Sequence, residues 1–310
     1  MRVADRSIQI KMFPIAFHPI YKHPLPEGHR FPMLKYDLLP QQLLHEGTAA
    51  AGDFFEPGLC DIQHVLAVHT EAYVNDLLQL TLNERAARKI GFPLSAQLVE
   101  RELRITQGTI TGCEQALKAG IAFNIAGGTH HAFTNRGEAF CMLNDQAIAA
   151  QYLLDQHLAS KILIVDLDVH QGNGTAEIFT NNPRVFTFSM HGKGNYPFRK
   201  ETSDLDIALP DFTSDEQFLS VLEDSLPALI NQEKPDFIFY LAGVDILATD
   251  KLGKLSCTLA GCKRRDEIVF KVCKKHGISV QVSMGGGYSP DIKTILEAHS
   301  NTFRVAAAIF

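Results

Sequence analysis

From about residue 120 onward, short runs that are almost wholly apolar alternate with longer segments whose apolar positions recur every three or four residues. The runs are "AFNIAG" (122–127), "KILIVDLD" (161–168), "RVFTFSM" (184–190), "DFIFYLAG" (236–243), "ISVQVSMG" (278–285) and "FRVAAAIF" (303–310). They are rich in β-branched and aromatic residues and lack in–out alternation, which predicts strands covered on both faces. The intervening segments at 143–157, 215–232, 260–276 and 290–299 predict helices, the last opened by Ser289-Pro290-Asp291. This order predicts an α/β fold, a parallel sheet with crossover helices. The first 120 residues are less regular: a proline-rich stretch (18–34) precedes helical segments around 71–82 and 97–119. No low-complexity linker, internal repeat or composition break divides the chain, so residues 1–310 are expected to form a single domain.

Ligands of open parallel sheets bind beyond the carboxyl ends of the strands. The residues that follow each run are therefore the place to look for chemistry. After 122–127 comes "GGTHHAF" with His130 and His131; after 161–168 comes His170, two residues beyond Asp168; after 184–190 comes His191. Asp245 follows 236–243, and "GGGYSP" with Tyr288 follows 278–285. Asp168 and His170, two apart on an extended chain, point to the same side. With Asp245 they make a mixed O/N set of three, the catalytic arrangement for Zn²⁺ or Fe²⁺ with a position left open. Asp-x-His alone is as readily a solvated loop pair. Here a buried strand precedes it, and Gly172 and Gly174 after it let the backbone crowd close. Asp166 can accept from an imidazole N–H or can itself be a ligand, and both readings stay open. One histidine of the pair can face a metal-bound water while the other braces it. Tyr288 can donate to an oxygen that gains negative charge, although aromatic residues after strands more often serve packing.

Composition narrows the partners. The chain is 45% hydrophobic and 21% charged, with net charge −6 and no basic run. That excludes an electrostatic footprint for nucleic acid or an anionic membrane, and a basic macromolecule would have to be bound locally. The six cysteines (Cys60, Cys113, Cys141, Cys257, Cys262, Cys273) form no CxxC pair, which suits buried thiols in a reducing compartment. "MRVADRSIQIKMFPIAFHP" has no continuous apolar core, and no run approaches the ~18 apolar residues of a membrane span. A cytoplasmic location is expected.

"GGTHHAF", "FCMLND", "DLDVHQGNGT", "AGVDILATDKLGKLSCT" and "GGGY", in this order, resemble the histone deacetylase family, with a likeness running from about residue 12 to the C-terminus. "HQGNGT" and "DILATDKLGKLSCT…RRDEIVF" are most similar to the class IV branch and its bacterial relatives. The resemblance implies a three-layer arginase/deacetylase fold, a mostly parallel sheet of about eight strands with helices on both faces. It implies Zn²⁺, or Fe²⁺ in its place, held by Asp168, His170 and Asp245, with His131 as general base and acid. His130 is its neighbour, Asp166 the partner of His130, and Tyr288 the phenol that polarises the carbonyl. It also implies a structural K⁺ near Asp166, Asp168, His170 and Ser189, and a second monovalent site near Phe179, Asn182 and Val185. Phe140, Gly287 and Leu252 match positions lining the substrate tunnel, and the segment 191–200 would add Tyr196 or Phe198 as a second wall, unless those rings are surface packing.

Many family members carry aspartate where this chain has Asn173, the partner expected for His131. Asparagine can orient the ring but cannot stabilise an imidazolium by charge, so a lower His131 pKa is expected. Leu252 stands where acetylpolyamine-preferring members often place an acid. The expected reaction is removal of an acetyl or longer acyl group from an acyl-lysine-like amine; the alternative is an acetylpolyamine or other small acylamine. A binuclear manganese ureohydrolase would need a second Asp-x-Asp after 236–243, which is missing. A non-catalytic acyl binder would be expected to have lost part of the ligand, His-His and tyrosine set.

Overall fold

In a computed structural model of the chain, residues 14–310 are described; residues 1–13, most of the segment read above for a signal, lie outside them. The strands are β1 (Ile15–Ala16), β2 (Phe54–Phe55), β3 (Ile121–Asn124), β4 (Ile162–Asp166), β5 (Val185–Gly192), β6 (Leu205–Leu209), β7 (Phe237–Leu241) and β8 (Ser279–Ser283). The helices are α1 (Lys35–His45), α2 (Ile62–Leu66), α3 (Glu71–Leu78), α4 (Glu84–Ile90), α5 (Ala96–Ala119), α6 (Asp145–Asp155), α7 (Asn173–Ile178), α8 (Asp215–Glu233), α9 (Leu259–His276) and α10 (Ile292–Ile309). All eight strands pair in parallel in the order β2-β1-β3-β8-β7-β4-β5-β6. The sheet is wholly parallel rather than mostly so.

Side chains alternate between two helical layers, as a pleated strand requires. In β3, Phe123 stacks on Phe303 of α10 at 4.4 Å between ring centroids and meets Phe270 of α9 edge-on. The next residue, Asn124, turns to the other face and donates to the Ile105 carbonyl of α5 (2.9 Å). Strands β4, β7 and β8 are buried almost throughout, which explains their unbroken apolar runs.

Residues 303–310 are not a strand but the end of α10. Three alanines favour helix, the Asp291 side chain caps the start by accepting from the Lys293 N–H, and Ile295, Ala298, Thr302, Phe303 and Ala306 recur at helical spacing on the buried side. Thr302 extends that face by donating to Asp266 (2.8 Å). Strand β6, absent from the sequence reading, is a half-exposed edge whose "LDIAL" carries too little apolar density to stand out. The segment "NGT" forms the first turn of α7.

Candidate active site

Four neighbouring strands, β3, β8, β7 and β4, end on one rim of the sheet and deliver the polar residues found in the sequence. Asp168, His170 and Asp245 converge: their ligating atoms lie within 4.8 Å of one another, with exposures of only 1%, 8% and 0%. His170 presents Nδ1, 3.0 Å from Asp168 Oδ1 and 3.2 Å from Asp245 Oδ2. Backbone amides aim the carboxylates. His170 N–H donates to Asp168 Oδ1 (2.9 Å), Gly286 N–H to Asp168 Oδ2 (2.8 Å), and Val169 N–H to Asp245 Oδ1 (3.0 Å). Asp245 Oδ2 is left buried with no hydrogen-bond partner.

That orphaned oxygen is the clearest sign that the cluster fits a cation. Burial and the Asp168 charge raise the Asp245 pKa to about 7. Burial opposes a charged His170, yet its hydrogen bond to Asp168 and the Asp245 carboxylate close to the same Nδ1 outweigh burial and raise its pKa to about 10. Two carboxylates and an imidazole forced together out of water are what a divalent ion would relieve. Among the described residues this is the one group of three such side chains placed to hold a metal, which fits one ion better than two.

The loop after β3 brings both histidines against this cluster, with ring centroids 4.1 Å apart. His130 donates from Nδ1 to Asp166 Oδ2 (2.7 Å), and His131 donates from Nδ1 to Asn173 Oδ1 (2.6 Å). The two rings are tuned in opposite directions. Burial lowers the His130 pKa, but the Asp166 carboxylate overrides it and the net shift is upward. For His131, burial and the neighbouring His130 and His170 all lower the pKa, and Asn173 offsets little of it, so the shift is strongly downward. The loop is pinned by α7, whose Gly174 and Thr175 amides both donate to the His130 carbonyl (2.9 and 3.2 Å). A Cβ at Gly174 would collide with the Ala132 carbonyl, and one at Gly172 with Asp166, so the close approach expected of these glycines is present.

Tyr288 follows β8, its backbone N–H held by Asp250 (2.6 Å) and its ring 6.5 Å from that of His170. Burial, and after it the charges of Asp245 and Asp168, push the phenol well above its ordinary pKa, so it stays a proton donor. A cavity of about 510 Å³ opens above His131, His170 and Tyr288. Phe140, Tyr196, Phe198 and Leu252 line it, Phe198 at 90% exposure, and the Tyr196 ring stands perpendicular to His131 at 4.9 Å. Gly287 does not line it: the side-chain direction there points at Val244 and His299. His191 is not part of the cluster either, because β5 runs on through it and its Nδ1 meets Ser189 Oγ at 3.0 Å.

The residues suggested for K⁺ fall in two places. Asp166, the last residue of β4, is the register partner of Ser189 within β5, with Asp168 and His170 just beyond the end of β4. Phe179, Asn182 and Val185 form a turn whose Phe179 and Asn182 carbonyls accept the Asn182 and Val185 amides (2.9 and 3.1 Å).

Two basic residues under the site had no assigned role in the sequence. Arg265, fully buried on α9, pairs with Asp266 (2.8 Å) and donates to the carbonyls of Leu167, Ala242 and Gly243, the backbone that leads to the metal-facing residues. Lys35, on α1, donates to the Gly285 carbonyl (2.9 Å), and burial lowers its pKa to about 8 against the pull of Asp245 and Asp168. "RRDEIVF" was visible as a motif, but nothing in it reports an arginine that acts on carbonyls.

The Histone deacetylase domain family matches residues 29–303. An uncharacterised protein of Picosynechococcus sp. is 46% identical over 298 residues, covering 96% of this chain and 99% of that one. A probable deacetylase of Archaeoglobus fulgidus is 32% identical, covering 89% of this chain and 81% of its own. A crystal structure of an HDAC homologue complexed with SAHA superposes with a TM-score of 0.84 at 25% identity, covering 97% of this chain and 85% of that one.

Proposed function

The chain belongs to the histone deacetylase family and is a deacetylase, and from that premise we propose that it uses Zn²⁺ held by Asp168, His170 and Asp245 to remove an acetyl or longer acyl group from an acyl-lysine-like amine. The observation that carries this reading is the buried cluster of three with an orphaned carboxylate oxygen, set at the floor of a cavity beside His131 and Tyr288. A bound zinc supplies a Lewis acid and makes water acidic enough to be deprotonated near neutral pH.

The chain's own groups do the rest. His131, neutral because its pKa is depressed, takes a proton from water at Nε2 while Asn173 holds Nδ1–H. It then returns the proton to the departing amine nitrogen. Tyr288 O–H donates to the carbonyl oxygen as negative charge grows there. His130, tied to Asp166, is a cation-prone neighbour whose ring lies 4.1 Å away and helps hold the His131 pKa down. The HDAC homologue complexed with SAHA supports an acylamine of this shape as substrate.

Asp166, Asp168, His170 and Ser189 at the β4–β5 junction suit a structural K⁺, with the 179–185 turn as the second monovalent site. Six free, buried cysteines support a reducing compartment such as the cytoplasm; among the described residues no helix is long and apolar enough to cross a membrane.

The test is hydrolysis of a fluorogenic acyl-lysine amide, with and without a hydroxamate inhibitor. His131→Ala and Asp245→Asn are expected to abolish turnover. Near-normal metal-dependent activity in either variant overturns the assignment of roles.

A further inference from the structure

The mouth of the cavity carries charge opposite to that of the chain as a whole. The protein is net −6, yet the charged side chains lining the opening are Arg30, Lys89, Lys254 and the single carboxylate Glu138. Glu138 is already occupied: Arg136 Nε lies 2.9 Å away, Lys89 Nζ 3.5 Å, and the Tyr196 hydroxyl donates to it at 2.5 Å. Burial works against its charge, but these donors hold its pKa below the usual range, so it stays an ionised and saturated partner.

The cations are far less satisfied. Arg30 is exposed and lies over the Phe140 ring, 4.9 Å from its centroid, with no carboxylate pairing to it among the described residues. Lys254 is half exposed, and its nearest carboxylate, Asp211, is 3.7 Å away and itself solvated. Lys193, Arg199 and Lys200 lie in the loop that supplies Tyr196 and Phe198, and Lys251 adjoins Leu252. Asp250, next to Lys251, faces inward, its oxygens taken by the amides of Leu252, Gly253 and Tyr288; Glu201, next to Lys200, is exposed.

Resting on the deacetylase reading, we propose that Arg30, Lys89 and Lys254 select an acyl-lysine flanked by acidic residues. The lysine stem fills the tunnel, so the residues on either side of it meet the rim. Carboxylates there would find Arg30 without a carboxylate partner and Lys89 and Lys254 in only long, half-exposed pairs, whereas a lysine- and arginine-rich segment or a polyamine would meet like charge. Exposed pairs of this kind each shift an equilibrium by about two- to fivefold, so several together give about tenfold, in a manner that salt screens.

Three acetyl-lysine peptides test this, identical except for two residues on each side of the lysine: Asp and Glu, Ala and Gly, or Lys and Arg. At ~50 mM salt the acidic peptide is expected to exceed the basic one about tenfold in kcat/KM, the ratio falling toward one near ~1 M. The double variant Arg30→Glu, Lys254→Glu is expected to invert the order. Equal or better turnover of the basic peptide by the native protein overturns the proposal while leaving the deacetylase reading intact. Failure to cleave any of the three, or an uncharged acetyl-lysine amide, overturns the deacetylase reading instead. Fluorescence anisotropy of the same peptides on the native protein then decides the mouth, where equal Kd values overturn its selectivity.

Discussion

Asn173 lends His131 an acceptor without lending it a charge. Asn173→Asp adds a negative charge beside the ring and raises the His131 pKa. A base must be neutral to take a proton, so activity falls as pH drops through that pKa. The acidic limb of the kcat/KM profile of Asn173→Asp is therefore expected at higher pH than in the native protein, and an unmoved limb refutes His131 as the base. Arg265 makes a different prediction. Arg265→Met leaves Asp266 buried without its cation and is expected to cost about 3–5 kcal/mol of stability, read as a lower urea midpoint. The same variant should lose zinc more readily to a chelator dye, since Leu167, Ala242 and Gly243 lose their common donor. The residues that face the cavity were legible because histidine, aspartate and glycine at strand ends are costly unless used. Arg265 and Lys35 were not, because each acts on backbone carbonyls that any sequence would present.

Elements were legible where burial is complete. Strands β4, β7 and β8 announce themselves as apolar runs, and the three helices α5, α8 and α9 begin and end within a residue or two of their sequence reading. Short or edge strands do not: β1 and β2 have two residues each, and β6 is half exposed. The C-terminal run misled because aromatic and β-branched residues at both of its ends outweighed three alanines between them. Helix α10 earns its place by packing, with Phe303 stacked on Phe123. Phe303→Ala is expected to destabilise by about 3–5 kcal/mol in urea unfolding, as other large-to-small core changes do. The glycine loop after β8 predicts a variant of another kind. A Cβ at Gly286 would overlap Asp245 Oδ2, so Gly286→Ala should lose zinc affinity by dye competition while keeping a near-native melting temperature without metal.

At the scale of the whole molecule, the carboxylates and imidazole that converge beyond the ends of the central strands are a burden the fold carries and a bound ion offsets. Zinc at ~100-fold its Kd is expected to stabilise the protein by about 2.7 kcal/mol, seen as a rise in melting temperature that a chelator reverses. Elemental analysis should return about one zinc per chain; two manganese ions would replace this reading with a binuclear one. The sheet order carries a consequence for synthesis. β8 alone bridges β3 to β7, so until residues 279–283 are made, the sheet exists as two separate pieces with open edges. His130 and His131 belong to the first piece, whereas Asp168, His170 and Asp245 belong to the second. The strand pairing that joins these two pieces therefore waits until residues 279–283 have been translated, and Tyr288 reaches the site only after them.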